Sequence, residues 1–205
     1  NNNIVNSTKQ EICNIMNINY NQKILPKTQF SNMYLKEVLL DDLKDIAIRF
    51  YIEQFNDDLI IVDGEGKIFF INKQFIADSE NFNWVQVNSN LHSQTVRIFF
   101  EEYTTRDVLI VNNEIYISYA AAVSETDTCQ TMNISKAKIS KKELNFEVFF
   151  KSKDCNPSQG FRAGRMIFYN HDGKEGLLLT TNAEDKEKDW AQDNNSSFGK
   201  MLFID

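Results

Sequence analysis

The chain has 205 residues and a formal net charge of −7, and hydrophobic residues make up 42% of it. That share is sufficient for a folded core, and with only 7 Gly and 2 Pro the composition excludes disordered and collagen-like chains. The acidic balance argues against nucleic-acid binding, which needs a basic face. No apolar run approaches the ~20 residues that span a bilayer, so we expect neither a nucleic-acid partner nor a membrane span.

The beginning of the chain differs in composition from the rest. Residues 1–28 form an Asn-rich lead segment in which Pro26 breaks any helix. We expect residues 29–205 to form one domain, beginning with a strand over Tyr34–Leu40. The stretch Leu43–Ile52 fits both a helical and a strand period, and its β-branched and aromatic content favours a strand.

Short apolar runs separated by turn residues follow along the remaining chain and predict mostly paired strands. Continuous apolar runs in the first pair indicate a hairpin with both faces covered. The expected pairs are Asp58–Val62 with Lys67–Ile71 around Asp63–Gly66, Asp107–Val111 with Glu114–Tyr119 around Asn112–Asn113, Asn133–Ile139 with Leu144–Phe150, and Met166–Tyr169 with Gly176–Thr180 around Asp172–Gly173, and single strands are expected over Thr95–Phe100 and Lys200–Ile204.

Three of these hairpins resemble one another: DDLIIVDGEGKIFFI, RDVLIVNNEIYIS and MIFYNHDGKEGLLLT. They start roughly 50 to 60 residues apart, a period typical of propeller blades, each of which is a four-stranded sheet. The sequence therefore predicts an all-β fold, a β-propeller of which about three blades are present. A sandwich of irregular strands is the competing interpretation.

Two of the three cysteines stand at the ends of one predicted hairpin. Cys129 and Cys155 flank Met132–Phe149, which brings them near each other. A disulfide there would indicate an extracytoplasmic protein, whereas two separate thiols would suit the cytosol. Cys13 lies in an early apolar segment and is interpreted as a small buried residue.

The last forty-odd residues carry an ordered series of short motifs. The pattern is a Gly-Arg pair, an apolar strand, Asp-Gly, a second apolar strand, a polar loop with Ala-Gln-Asp, and a final Gly-Lys before an apolar strand. The residues that form it are Gly164-Arg165, Asp172-Gly173, Ala191-Gln192-Asp193, Ser196 and Gly199-Lys200. In this order they resemble the glucose/sorbosone dehydrogenase family, over this segment more closely than upstream.

This resemblance implies a six-bladed β-propeller that oxidises sugars or other alcohols with pyrroloquinoline quinone and calcium, in the periplasm or secreted. Because the chain begins without Met and stops just after an apolar run, we expect it to be a fragment, the N-terminal half of the propeller. By the same resemblance a sugar-like small molecule is the expected ligand.

The resemblance also indicates where the site residues should lie. The family's catalytic base is a His just before the Gly-Arg pair, where this chain has Phe161-Arg162. Arg162 and Arg165 remain as partners for the carboxylates of the quinone, although Arg165 also suits a structural ion pair. Gln192 and Asp193 could contact a ligand or calcium through oxygen. The alternative, which we favour, is that Asp193 and Ser196 order their loop by hydrogen bonds to backbone N–H groups.

Other candidate residues carry weaker signals. His92 and His171 are interpreted as loop and turn residues, and neither follows the family motif. The spacing of Asp185, Asp189 and Asp193 suggests a metal site, but without the Gly and Glu of a calcium loop it predicts a solvated acidic face.

Two functions are therefore expected as alternatives. The first is a quinone-dependent oxidoreductase acting on sugars or other alcohols. The second is a propeller that has lost this chemistry and serves as an extracytoplasmic binding module, as the missing His and an acidic loop without Arg at residues 181–188 suggest. The shared fold alone cannot choose between them.

Overall fold

A computed structural model describes residues 50–72, 84–91, 104–123, 129–156, 163–183 and 189–205. They belong to one compact unit, formed by Ile46–Lys73 and Asn83–Asp205. The expected lead segment 1–28 and the expected strands at Tyr34–Leu40 and Thr95–Phe100 lie outside the described residues. The strands of the described part are β1 (Phe50–Phe55), β2 (Asp58–Asp63), β3 (Ile68–Asn72), β4 (Trp84–Ser89), β5 (Thr105–Val111), β6 (Glu114–Ala122), β7 (Gln130–Lys138), β8 (Glu143–Leu144), β9 (Glu147–Lys151), β10 (Met166–His171), β11 (Lys174–Thr180) and β12 (Met201–Ile204).

These strands form three sheets, ordered along the chain. The first sheet has the order β1-β2-β3-β4-β8, the second β5-β6-β7-β9 and the third β10-β11-β12. Neighbouring strands are antiparallel except for β4 and β8, which pair in parallel over two residues. The all-β prediction is confirmed, and so are the hairpins β2–β3, β5–β6 and β10–β11.

Two of the hairpins close with two-residue turns whose backbone is left-handed. Asn112 and Asn113 have φ of 49° and 66°, and Asp172 and Gly173 have φ of 51° and 80°. Positive φ at both positions is the geometry that matches the twist of the flanking strands, and Asn, Asp and Gly adopt it at the least steric cost. The turn residues chosen from the sequence therefore fix the register of both hairpins.

The predicted strand Leu144–Phe150 is wrong in its continuity, because the structure divides it. Glu143 and Leu144 pair with β4 of the first sheet, and only β9 pairs with β7. The side chain of Asn90 explains the division: its amide donates to the carbonyl of Phe146 at 3.0 Å and its oxygen accepts from the Phe146 amide at 2.7 Å. Leu144 and Phe146 are consequently buried against the first sheet.

The second sheet is covered on both faces, and alternate residues of β6 show how. Ile115, Ile117 and Tyr119 belong to a core with residues of the first sheet. Ala120 and Ala122 belong to a second core with residues of the third sheet. Because successive side chains of a strand point to opposite faces, β6 contributes to both cores. The three sheets thus stack face to face in chain order.

Past the end of β9, a disulfide joins the chain to the residue that precedes β7. Cys129 and Cys155 are bonded, with their Cα atoms 5.4 Å apart. Directly beside the bond, Gln130 and Asn156 exchange two backbone hydrogen bonds of 2.8 and 2.7 Å. The pairing proposed from the sequence is confirmed, and the alternative of two separate thiols is not.

Among the described residues, no helix is long and apolar enough to cross a membrane.

Candidate functional site

The Gly164-Arg165 pair lies where the third sheet meets the second. Gly164 has φ of 118°, and a Cβ added to it would lie 2.5 Å from the Cβ of Arg106. Its carbonyl accepts a hydrogen bond of 2.5 Å from the hydroxyl of Ser118, and its amide donates to the carbonyl of Thr180 at 2.9 Å. Only glycine combines this backbone conformation with so close an approach.

The side chain of Arg165 is paired with a buried carboxylate. Its Nη1 lies 2.8 Å from Oδ1 of Asp107, and Oδ2 of Asp107 accepts from the backbone amide of Met166 at 2.7 Å. The Asp107 side chain is 9% exposed, whereas that of Arg165 is 74% exposed. The hydrogen bond and charge of Asp107 raise the pKa of Arg165 further above its ordinary value. The structural ion pair considered from the sequence is therefore present.

The remaining residues singled out near the pair, and the two histidines, differ in whether the structure describes them. Arg162 and Phe161 lie outside the described residues, as does His92. His171 was expected in a turn, but it is the last residue of β10 and pairs in register with Lys174. The two-residue turn after it explains the difference, because strand pairing continues to its edge. His171 also stands at the opposite end of β10 from Arg165.

Gln192 and Asp193 are exposed residues of the connection between β11 and β12. Asp193 Oδ1 accepts from the backbone amide of Asn195 at 2.9 Å, and the hydroxyl of Ser196 accepts from the amide of Phe198 at 3.1 Å. Such local bonds stabilise turns. The loop-ordering role favoured from the sequence is thus confirmed for Asp193 and Ser196.

The same loop is held by an ammonium group and an aromatic pair. Nζ of Lys200 donates to the carbonyls of Trp190, Ala191 and Phe198 at 2.6, 2.8 and 3.2 Å. The rings of Trp190 and Phe198 stack with centroids 5.6 Å apart, and Phe198 is fully buried. Gly199 has φ of 68°, and the absence of a Cβ there leaves room for Ala191. The matched Gly199-Lys200 pair therefore holds the end of the loop against its beginning.

Arg165 and the loop lie at one edge of the third sheet. The amide of Arg165 donates to the hydroxyl of Thr180 at 3.1 Å. The next residue, Thr181, donates from its hydroxyl to the carbonyl of Ser197 at 2.7 Å and accepts from the amide of Lys200 at 3.0 Å. Consecutive threonines thus connect Arg165 and the loop at this edge. We call this edge, with Arg165, Gln192 and Asp193, the Arg165 edge.

The described part of the Arg165 edge is a poor electrostatic match for a tricarboxylate quinone. It presents one guanidinium, already shared with Asp107, and the carboxylate of Asp193 would repel a second anion. No group of three or more His, Cys, Asp or Glu side chains that could hold a metal occurs in the described ranges. Of the aspartate series, Asp189 and Asp193 are exposed, as predicted for a solvated face, and Asp185 lies outside the described residues.

A cleft of about 260 Å³ lies between the second and third sheets, at the end of their strands that is opposite the Arg165 edge. Aromatic and acidic side chains dominate its walls, and none of its lining residues is basic. The walls include Glu114, Tyr116, Phe149, Phe168, Glu175 and Asp205.

Three lining residues, Glu114, Tyr116 and Phe149, belong to a connected polar and aromatic group that continues outside the cleft lining to Lys136 and Glu147. The hydroxyl of Tyr116 donates to Oε2 of Glu114 at 2.9 Å, and its ring meets Phe149 edge to face at 5.5 Å. Lys136 lies 3.7 Å from Glu114, 3.6 Å from Glu147 and 5.3 Å from the centre of the Phe149 ring. Burial, and then the hydrogen bond to Glu114, raise the pKa of Tyr116 to about 12.

The fold and this arrangement define a class: an all-β protein of stacked antiparallel sheets with a glycine-arginine junction between two of them. Residues 104–205 match the model of one protein family, glucose/sorbosone dehydrogenase. Over this part, the chain is glucose/sorbosone dehydrogenase-like. The match runs from β5 to β12 and so includes every strand of the second and third sheets.

Solved structures agree with this assignment at the level of fold. A crystal structure of glucose dehydrogenase superposes with a TM-score of 0.54 at 15% identity, over 77% of this chain and 44% of that chain. A second glucose dehydrogenase structure gives a TM-score of 0.53 at 16% identity, over 76% and 44%. The chain thus spans less than half the length of these structures. No curated protein matches the chain.

Sequence patterns did not reveal several residues that organise this site. Asp107 stands 58 positions before its partner Arg165, and Asp154 stands 43 positions before its partner Ser197. Neither spacing has a periodic signal. The Asp at the start of an otherwise apolar strand was the one visible hint for Asp107, because a buried carboxylate needs a partner.

Proposed function

We propose that the described sheets are consecutive blades of a β-propeller of the glucose/sorbosone dehydrogenase type. The observation that carries this proposal is the stacking of three sheets in chain order, with β6 packing on both of its neighbours. The second sheet has the four antiparallel strands of a propeller blade. The family match over residues 104–205 supports the same conclusion.

The family's activity is one of two functions that this fold could carry here. In that case the protein oxidises sugars or other alcohols with a quinone cofactor and calcium, and the Arg165 edge faces the cofactor. Arg162, Arg165, Gln192 and Asp193 are the proposed contacts. In favour of it stand the family match and the exposure of Arg165, whose remaining N–H groups can still donate.

The second function is binding of a sugar-like ligand without oxidation, and the described residues favour it. The sequence has Phe161-Arg162, and no His, at the position just before Gly164-Arg165 where the family's base removes the proton of a substrate hydroxyl. General-base assistance contributes about 10²–10⁴-fold to a rate. Asp107 already neutralises the charge of Arg165, so the electrostatic attraction of Arg165 for a tricarboxylate is weaker. We therefore propose a propeller that binds a polyol-like ligand rather than one that turns it over.

A dye-linked assay separates the two functions. Protein expressed from the full reading frame is supplied with pyrroloquinoline quinone, calcium and a panel of sugars, while quinone binding is followed by fluorescence. We expect no turnover above background and weak quinone binding. Robust turnover that is lost in Arg165→Ala would establish the oxidoreductase instead.

The matched control for that variant is Lys174→Ala. Lys174 is 75% exposed, as Arg165 is 74% exposed, but it lies at the far end of the same hairpin. If both variants change quinone binding equally, the effect is one of net charge and not of the Arg165 edge.

We also propose that the protein works outside the cytoplasm. The Cys129–Cys155 disulfide supports this location, because such bonds persist in oxidising compartments and are rare in the cytosol. Mapping of disulfide-linked peptides in protein from its native cells tests it, and two free thiols would contradict the proposal.

A further inference from the structure

The loop that carries Gln192 and Asp193 packs on the second sheet through Phe198 and Trp190, and it also has a hydrogen bond to one side chain of that sheet's last segment. Oδ2 of Asp154 accepts a hydrogen bond of 2.9 Å from the backbone amide of Ser197. Asp154 follows β9 of the second sheet, whereas Ser197 belongs to the connection between β11 and β12 of the third. This contact therefore links two sheets through a single carboxylate.

Asp154 is itself held from both sides. The hydroxyl of Ser152 donates to the carbonyl of Asp154 at 2.7 Å and accepts from the amide of Met132 at 3.0 Å. The next residue, Cys155, is bonded to Cys129. The segment 152–156 is thus fastened to β7 at its start by Ser152 and at its end by the disulfide, with Asp154 between the two attachments.

Ser197, the residue that Asp154 contacts, is connected to the other residues of the loop. Ser197 is followed by the buried Phe198, whose ring stacks on Trp190, two residues before Gln192. The carbonyl of Ser197 also accepts from Thr181 at 2.7 Å, at the Arg165 edge. Moving the amide of Ser197 would therefore disturb both the aromatic pair and the threonine contact.

We infer that Asp154 is a positioning residue for the Gln192–Asp193 loop, and that the Cys129–Cys155 disulfide keeps Asp154 in place. This inference rests on the proposed function in one respect, since it assumes that the Arg165 edge receives the ligand. A bond from a backbone amide to a carboxylate is among the stronger hydrogen bonds, so one such contact can determine the position of a loop.

The experiment measures the loop directly and needs no ligand. Hydrogen exchange is followed in the peptide covering residues 189–200, in full-length protein. In Asp154→Ala we expect exchange to accelerate about tenfold in this peptide, because a charge-assisted bond is lost, and to stay unchanged in β5 and β6. Lys153→Ala, an exposed neighbour, is the matched control and should leave exchange as it is.

If Asp154→Ala folds poorly, the fluorescence emission of Trp190 and two further variants test the same inference. The chain has two Trp, so Trp84→Phe leaves Trp190 as the reporter of the loop. Asp154→Asn retains an acceptor oxygen, and we expect exchange within about threefold of the unmodified chain. The double variant Cys129→Ser/Cys155→Ser should shift the Trp190 emission and accelerate exchange in the same peptide.

The inference would be overturned by unchanged exchange in residues 189–200 of Asp154→Ala or of the cysteine variant, or by an equal acceleration in Lys153→Ala. Acceleration spread over all sheets would likewise overturn it, since that is a loss of global stability. Ligand titration of the same variants is a separate measurement. Faster loop exchange in a protein that binds no sugar or quinone would refute the proposed function and leave the positioning role of Asp154 standing.

Discussion

Arg165 and Asp107 form an ion pair of 2.8 Å between the third and the second sheet, and the two partners differ sharply in exposure. Asp107 is buried and also accepts from the amide of Met166, whereas most of Arg165 faces solvent. The two partners therefore have different roles. The Asp107 carboxylate satisfies a buried backbone amide of β10, whereas the Arg165 guanidinium reaches the same carboxylate from the solvent side.

This inequality predicts different costs for removing each partner. Asp107→Ala leaves the amide of Met166 buried without its acceptor, which should lower the free energy of unfolding by about 1–3 kcal/mol. Arg165→Ala breaks an exposed pair, and should cost less than about 1 kcal/mol. Urea unfolding of both variants measures this. Equal losses would show that the ion pair, and not the backbone contact, dominates.

The disulfide should stabilise the second sheet. The bond joins residues 26 positions apart, for which the chain-entropy model gives roughly 3 kcal/mol. Cys129→Ser/Cys155→Ser is expected to lose that much in free energy of unfolding, measured under oxidising conditions. Cys13, interpreted from the sequence as a small buried residue, lies outside the described residues and is kept unchanged in both proteins. A cysteine variant as stable as the unmodified chain would contradict the prediction.

Two glycines of the third sheet should respond differently to alanine. A Cβ at Gly176 would lie 2.5 Å from the carbonyl oxygen of Ile204 and 2.8 Å from the ring of Phe203, so β12 must move. At Gly173 a Cβ meets nothing within 4 Å, and only the φ of 80° opposes it, a cost of about 1–2 kcal/mol. We expect Gly176→Ala to lower the melting temperature more than Gly173→Ala.

The raised pKa of Tyr116 predicts a loss of stability at high pH. Its value of about 12 exceeds the ordinary value of 10.0, so the folded protein holds this proton more tightly than the unfolded chain. Stability from this group is therefore fully present below about pH 10 and falls as pH rises towards about 12.

Absorbance of tyrosinate and thermal melts between pH 9 and 12.5, taken as roughly the range around both pKa values, test this prediction. The difference between the unmodified chain and Tyr116→Phe isolates Tyr116 from the other tyrosines, including Tyr119, whose pKa is also raised by burial. A Tyr116 contribution that titrates near pH 10, as in a free phenol, would refute it.

The outer face of the third sheet should promote self-association of the chain. Ile167 is 59% exposed and Met201 is 66% exposed on this sheet, next to Phe203. Apolar side chains grouped on a sheet face favour contact with a second surface. Ile167→Lys/Met201→Lys should therefore shift the chain towards monomer in size-exclusion chromatography, at unchanged circular dichroism. An unmodified chain that already elutes as a sharp monomer would contradict this expectation.

The sequence by itself determined the local structure of this protein. Strand-forming runs, and turn pairs such as Asn112-Asn113 that accept positive φ, specify hairpins through neighbouring residues alone. The same holds for the loop bonds of Asp193, whose partner Asn195 is two positions away. Cys129 and Cys155 were also paired from the sequence, because a hairpin between them brings its two ends together.

Only the tertiary structure decided which distant groups meet. Asn90 divides an apolar run 56 residues later, and Asp107 and Asp154 find partners 58 and 43 residues away, none of which any local period encodes. These contacts depend on how the sheets stack, and stacking is driven by apolar burial that has no direction of its own. The polar partners at the Arg165 edge are therefore set by the packing of whole sheets, and a single strand does not specify them.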